Sequence, residues 1–252
     1  MNGAGYKSRA IVYEQMAHMA QNGVSRIGKG FIRRTHILFD KPFDLLTAID
    51  TFDPGLKPPA GGRVWHAGNY CHASSPALAL WYAIASIGID VRRFVFVDLG
   101  SGKGRALLVA SAMPFMRVEG VEFSTDLHHS ALRNIANYSG PQKAPITAHQ
   151  MDAREYDPPK APCLFYLFNP FGEAVLRPVL GNIIASWQEQ PRPIYVVYMN
   201  AIHPHVFDEC PFITQLQRAP LTRALDMVLF PHAVKFYQID TLKNSDSTSR
   251  IA

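Results

Sequence analysis

A chain of 252 residues is long enough to bury a sizeable core and suits one domain with an appendage. Its 48% hydrophobic and 18% charged residues are ordinary for a folded protein and exclude a disordered or fibrous one, and no apolar run approaches the roughly 20 residues that span a bilayer. The net charge of +5 is mild and points only weakly to an anionic partner.

Met1 to Ala20 lacks the pattern of a secretory leader, because Glu14 and His18 interrupt any apolar stretch. Met1 to Gln21 reads instead as one helix, with Ile11, Met16 and Met19 among its apolar positions. The densest basic patch follows, with Arg26, Lys29, Arg33 and Arg34. No nucleic-acid reading module accompanies it, so it reads as solvated surface and nucleic acid is not the expected partner. Residues 38–64 read as irregular, broken by Asp53-Pro54-Gly55, Pro58-Pro59 and Gly61-Gly62. The expected division is an N-terminal extension over 1–64, a main domain over 65–242 and a polar, disordered tail over 243–252. Cys71, Cys163 and Cys210 are widely spaced and form no CxxC or Cys/His pattern, so neither a disulfide framework nor a zinc site is expected. Reduced thiols of this kind suit a cytoplasmic protein, with Cys163 buried in its apolar run.

From Ser75-Pro76, a cap and first-turn proline, apolar residues from Ala77 to Ile87 recur at helical spacing. Arg93 to Gly100 is then a short apolar run rich in β-branched and aromatic residues, the composition of a strand buried on both faces of a parallel sheet. The alternation continues with a helix over Gly104–Ala112, a strand over Met116–Val121, a helix over Thr125–Tyr138 and a strand over Ile146–His149. It ends with a strand over Cys163–Phe168, a helix over Gly172–Trp187 and a strand over Pro193–Met199. Phe212–Arg218 and Val234–Ile239, with no clear helix between them, read as an antiparallel pair. The expected fold is α/β: a doubly wound, mostly parallel seven-stranded sheet with an antiparallel last strand pair, plus an N-terminal helical or irregular extension. Such sheets bind ligands beyond the carboxyl ends of their strands, where the strand order reverses.

The first strand runs into Asp98-Leu99-Gly100-Ser101-Gly102-Lys103-Gly104-Arg105. Glycines let a chain turn tightly and let a ligand approach the backbone, and the following helix begins with free N–H groups and partial positive charge. A phosphate-cradling P-loop needs Gly-x4-Gly-Lys-Ser/Thr, but Val97 stands five before Gly102 and Gly104 replaces the hydroxyl. A dinucleotide turn needs a third glycine where Arg105 stands, and Asp98 would repel a pyrophosphate. S-adenosylmethionine has no phosphate, and its ammonium suits Asp98 while its carboxylate suits the turn's amides. Glu122, at the tip of the second strand, can accept both ribose hydroxyls. Its neighbour Phe123 can pack on the adenine, and Asp152, with Ala153 beside it, can accept from the adenine amino group.

Val97-Asp98-Leu99-Gly100-Ser101-Gly102-Lys103-Gly104 resembles the first motif of the seven-strand, class I S-adenosylmethionine-dependent methyltransferases, and Glu122 resembles their ribose-binding acid. The resemblance covers about Ser75 to Ile239. More narrowly, the chain is similar to a bacterial group with Asp-Leu-Gly-Ser-Gly-Lys-Gly-Arg, a downstream Asn-Pro-Phe and an upstream tyrosine, here Tyr70. The glycine loop is also similar to that of seven-strand protein lysine methyltransferases. The resemblance implies S-adenosylmethionine as cofactor, held by Tyr70, Asp98, Gly100, Ser101, Gly102, Gly104, Glu122, Phe123, Asp152, Ala153 and Asn169.

The fourth strand ends in Tyr166-Leu167-Phe168-Asn169-Pro170-Phe171-Gly172, and in that fold this tip faces the transferable methyl. Asn169 can orient a nucleophile or touch the cofactor, and Phe171 can supply a cation–π wall. The same residues also read as an ordinary strand-to-helix turn. Methyltransferases of planar nitrogens carry a second proline, and its absence argues against a planar base or amide acceptor. The expected acceptor is N or O of a protein side chain or small molecule. Two alternatives stay open: a nicotinamide-dependent oxidoreductase and a cofactor-binding module without catalysis. His128 and His129 read as exposed residues of a helix, and His149, His203 and His205 show no metal-ligand pattern.

Overall fold

The computed structural model describes residues 41–51, 74–218, 233–240 and 250–251. The expected N-terminal helix, the Arg26 to Arg34 patch, Cys71, Tyr70 and residues 219–232 lie outside the described residues.

The apolar run after Arg93 forms β1 (Val95–Leu99), buried at every position. Around it stand β2 (Arg117–Glu122), β3 (Ile146–Gln150), β4 (Cys163–Phe168) and β5 (Ile194–Met199), with β6 (Ile213–Gln215) and β8 (Val234–Ile239) completing the sheet. These make one seven-stranded sheet in the order β3-β2-β1-β4-β5-β8-β6. Neighbours from β3 to β5 pair in parallel, while β8 runs against both β5 and β6. This is the mostly parallel, doubly wound arrangement expected from the alternation of strands and helices, with Val234–Ile239 as the reversed member. The chain winds from β1 outward to β3, then returns to lay β4 on the other flank of β1. The order reverses between β1 and β4, which places a ligand crevice beyond their carboxyl ends.

Period-two geometry divides each strand between two cores. Val95, Val97 and Leu99 join Phe165, Leu167, Val196 and Tyr198 beneath α5 (Glu173–Glu189). Phe96 joins Leu164, Tyr166, Val197 and Met199 on the opposite face, against α2 (Ala77–Ala85) and α3 (Arg105–Ser111). Every residue of α3 is buried, Arg105 included. Gly120 of β2 makes this close approach possible, because a Cβ there would lie 2.6 Å from a Leu107 methyl.

Three expectations are corrected. Residues 38–64 are not wholly irregular: Lys41–Thr47 forms α1. A seven-residue helix has no stability of its own, and α1 is held by long-range contacts that a local pattern does not reveal. His128, on α4 (Thr125–Asn137), is buried rather than exposed. Burial, with His129 and His149 adding positive charge, lowers its pKa. In the tail, Arg250–Ile251 forms β9, which pairs in parallel with β7 (Gln217–Arg218). Backbone pairing along this short edge orders residues whose composition reads as a loose end.

Candidate cofactor and acceptor site

The turn after β1 is locked to its neighbours. Gly100 and Ser101 both donate their amides to the Val121 carbonyl, at 2.8 and 3.0 Å. Gly100 sits at φ +84°, and a Cβ on it would lie 2.4 Å from the Pro170 Cβ. Only glycine meets both conditions. The Asp98–Gly104 turn therefore touches the Asn169-Pro170-Phe171 turn at the point where the strand order reverses.

Two carboxylates converge here. Asp98 is 3% exposed near the end of β1, and Glu122 is 9% exposed at the end of β2. Burial raises the Asp98 pKa well above the usual carboxylate range, and the Glu122 charge raises it further. Burial also raises Glu122, although amide donors partly oppose the shift. Glu122 accepts from the Gly102 amide and from the Ser124 amide, each at 2.8 Å. No donor reaches the Asp98 carboxylate among the described residues. The buried Ser101 hydroxyl likewise has no partner among them.

The glycine turn narrows one expectation. Four of its amides are engaged within the protein: Gly100 and Ser101 serve Val121, Gly102 serves Glu122, and Gly104 donates to the Ser101 carbonyl at 2.9 Å. The motif's cations also turn away from the carboxylates. Lys103 lies 3.8 Å from Asp50. Arg105 meets Asp44 of α1 at 2.9 Å and donates to the Thr51 hydroxyl at 2.6 Å. Thr51 in turn donates its amide and its hydroxyl to Asp44, each at 2.7 Å. Asn134 of α4 completes the tie, accepting from the Asp50 amide and donating to the Asp50 and Lys103 carbonyls.

Asn169 follows β4 with φ +45°, a left-handed conformation that asparagine tolerates better than most residues. It is 7% exposed, and its Oδ1 accepts from the Tyr198 hydroxyl at 3.1 Å. That hydroxyl also accepts from the His203 amide at 3.3 Å. Phe171 is not an open wall. It packs into the core beneath α5 with Val175 and Leu176, because the turn directs it back toward the sheet. Phe123, beside Glu122, is 47% exposed. Asp152 is engaged locally: it caps the short helical turn Ala153–Glu155 and meets Arg154 at 2.6 Å. The Arg154 hydrogen bond outweighs burial and lowers its pKa. Ala153 is buried in the core. Asp98, Gly100, Ser101, Gly102, Gly104, Glu122 and Asn169 thus gather at one end of the sheet. Phe123 adjoins Glu122, Asp152 is held in its own turn, and Tyr70 lies outside the described residues.

Several residues escape a reading by sequence pattern. Asp44 and Tyr198 lie far along the chain from the partners they hold. Glu173, His203 and His205 present ligand-type atoms all within 4.8 Å of one another. The sequence shows no metal-ligand pattern at His203 and His205, and the fold brings both beside Glu173. The His-x-His spacing was a weak signal, and its third member stands 30 residues upstream of His203, at the start of α5.

The fold and the site together define a doubly wound α/β protein with two buried carboxylates at the ends of β1 and β2, beside the β1/β4 switch point. In motif and in its seven-stranded sheet the chain resembles the class I methyltransferases. No family model and no curated relative matches it. Among solved structures it is similar to a candidate RNA methyltransferase from Pyrococcus horikoshii, with 16% identity, 81% of this chain and 97% of that chain covered, and a TM-score of 0.46. It is also similar to an RNA methyltransferase from Salinibacter ruber solved with S-adenosyl-L-homocysteine, with 18% identity, 69% and 97% covered, and a TM-score of 0.42. A ribosomal protein L11 methylase from Lactobacillus delbrueckii subsp. bulgaricus follows, with 12% identity, 66% and 79% covered, and a TM-score of 0.42. Likeness at this level assigns no activity. Among the described residues no helix is long and apolar enough to cross a membrane.

Proposed function

We propose that this protein is an S-adenosylmethionine-dependent methyltransferase acting on N or O of an acceptor. One observation carries the reading. Two buried carboxylates, Asp98 and Glu122, stand at adjacent strand ends while the motif's own cations, Lys103 and Arg105, pair with Asp50 and Asp44. Buried charge is costly unless it is paired. The crevice therefore favours a ligand that brings positive charge and no phosphate. A pyrophosphate would meet two carboxylates, and the amides of Gly100, Ser101, Gly102 and Gly104 are already engaged, which disfavours the nicotinamide alternative.

The residues fit the cofactor. Asp98 and the unpartnered Ser101 hydroxyl suit its ammonium end, Glu122 suits the ribose and Phe123 the adenine. When bound, the cofactor supplies a methyl carbon activated for in-line displacement by its sulfonium. The protein's task is alignment and exclusion of water, which can supply up to about 7–11 kcal/mol of the barrier in ideal cases. Asn169, fixed through its Oδ1 by Tyr198, is placed to hold the acceptor with its side-chain nitrogen. Asp152, toward the adenine, and Tyr70 remain proposed cofactor contacts.

The expectation that nucleic acid is not the acceptor draws no support from the structure, since the basic patch behind it lies outside the described residues. RNA therefore belongs in the acceptor screen beside proteins and small molecules. Calorimetry with S-adenosylmethionine, S-adenosylhomocysteine and NAD tests the cofactor assignment. The first two should bind and NAD should not; binding of NAD alone would overturn it. Release of S-adenosylhomocysteine with RNA, protein or metabolite fractions then separates an enzyme from a silent binding module.

A further inference from the structure

Near Asn169 lies a second cluster of chemically capable side chains. Glu173 opens α5 directly after the Asn169-Pro170-Phe171 turn. His203 and His205 follow β5, the latter opening the short α6 (His205–Asp208). Pro204 stands between them and restricts the backbone that carries both rings. The His205 Nε2 lies 3.1 Å from the Glu173 Oε2, and the two imidazoles meet edge to face with centroids 5.9 Å apart. One ligand-type atom from each of the three lies within 4.8 Å of the others.

We propose that Glu173, His203 and His205 form a binding site for a divalent transition metal ion. Zinc ligands at about 2.0–2.1 Å in a tetrahedron stand about 3.3 Å from one another. The Glu173–His205 separation is already close to that, and His203 needs only a short approach. Two imidazoles and one carboxylate select zinc, cobalt or nickel over magnesium or calcium, which prefer oxygen ligands. Three protein ligands leave a further position for water or for an oxygen or nitrogen of a bound molecule.

The surrounding charges agree with this use. Arg177 holds the other oxygen of Glu173 at 2.6 Å and reaches Glu209 at 3.0 Å, so the Oε2 that faces His205 is oriented by an outer hydrogen bond. Glu173, Glu209 and Arg177 together leave one negative charge beside the two imidazoles. The site also adjoins Asn169: the His203 amide donates to the Tyr198 hydroxyl, which donates to the Asn169 Oδ1. The metal assignment stands whether or not the methyltransferase reading holds.

The test uses the full chain, stripped with a chelator and titrated with Co²⁺ and Zn²⁺. One equivalent of Co²⁺ should bind with the visible absorption of a low-coordinate nitrogen–oxygen site, and Zn²⁺ should displace it. His203→Ala and His205→Ala should each weaken binding at least tenfold, and Glu173→Gln should do so as well. His129→Ala, distant and exposed, should leave it unchanged. Thermal melts of each variant check that folding is intact. Absence of a saturable one-to-one Co²⁺ signal, or equal affinity in the His203 and His205 variants, would overturn the proposal and leave the cluster as an ion-pair network.

Discussion

The Asp44 carboxylate meets the Arg105 guanidinium at 2.9 Å, with both side chains less than a tenth exposed. This pair joins α1 to the first residue of the helix that follows the glycine turn, and Thr51 bridges the two partners. Removing one member of a buried pair strands the other charge, at a cost of about 3–5 kcal/mol. Asp44→Ala should lower the unfolding free energy by that amount in urea titration. Replacing both residues with apolar side chains of similar volume should recover much of the loss. Equal stability of Asp44→Ala and the parent would show that α1 is not coupled to α3.

Gly100 and Gly88 provide a matched comparison. Both have positive φ, +84° and +76°, but a Cβ on Gly88 meets nothing within 4 Å, whereas on Gly100 it lies 2.4 Å from Pro170. Gly88→Ala should cost only the left-handed penalty, about 1–2 kcal/mol. Gly100→Ala adds overpacking of about 1–3 kcal/mol and pushes the β1 and β4 turns apart. Its melting temperature should fall further than that of Gly88→Ala, and its affinity for S-adenosylmethionine should fall as well. Gly88→Ala should bind the cofactor like the parent.

The buried carboxylates predict an unusual response to pH. Asp98 and Glu122 both have folded pKa values raised above the unfolded ones, chiefly by burial. Their neutral forms favour the folded state, so the stability they contribute is full below about pH 4, the unfolded value. It is lost as pH rises through the elevated folded values. Without cofactor, Asp98→Asn should therefore melt above the parent at pH 8, with the difference shrinking toward pH 4. The same variant should bind S-adenosylmethionine more weakly. A melting difference that grows as pH falls would contradict the assignment.

Glu122 does two things at once, and its removal should show both. It is expected to hold the ribose, and it accepts the Gly102 and Ser124 amides. Glu122→Ala should weaken cofactor binding at least tenfold in calorimetry. It should also destabilise the cofactor-free chain, since each buried donor left unsatisfied costs about 1–3 kcal/mol. Tight binding by this variant would defeat the ribose assignment.

Cys163 should be chemically silent. It is fully buried in β4, and burial pushes its thiol up to about 12, so almost no thiolate exists near neutrality. Iodoacetamide at pH 8 should modify the half-buried Cys210 first and reach Cys163 only on unfolding. Mass spectrometry of the native digest checks the order.

Much of the framework was legible in the residues. The run from Phe94 to Leu99 marks a doubly buried strand, the glycines after it mark a turn, and the alternation to Met199 marks a parallel sheet. The reversed strand Val234–Ile239 was legible because no helical pattern separates it from Phe212–Arg218 in the sequence. Asp98 and Glu122 were legible as well, because each stands where an apolar strand ends. The direction of Phe171 was not legible, because a residue after a strand can turn to either side and packing beneath α5 decides which.

Sequence by itself determined what depends on near neighbours along the chain: periodicity, strand ends and the left-handed positions that call for glycine. Only the tertiary structure decided where the charges go. The pairing of Arg105 with Asp44, the engagement of the glycine amides by Val121 and Glu122, and the meeting of Glu173 with His203 and His205 all join distant segments. Such contacts are set by which surfaces pack against each other, and local preference carries no record of them.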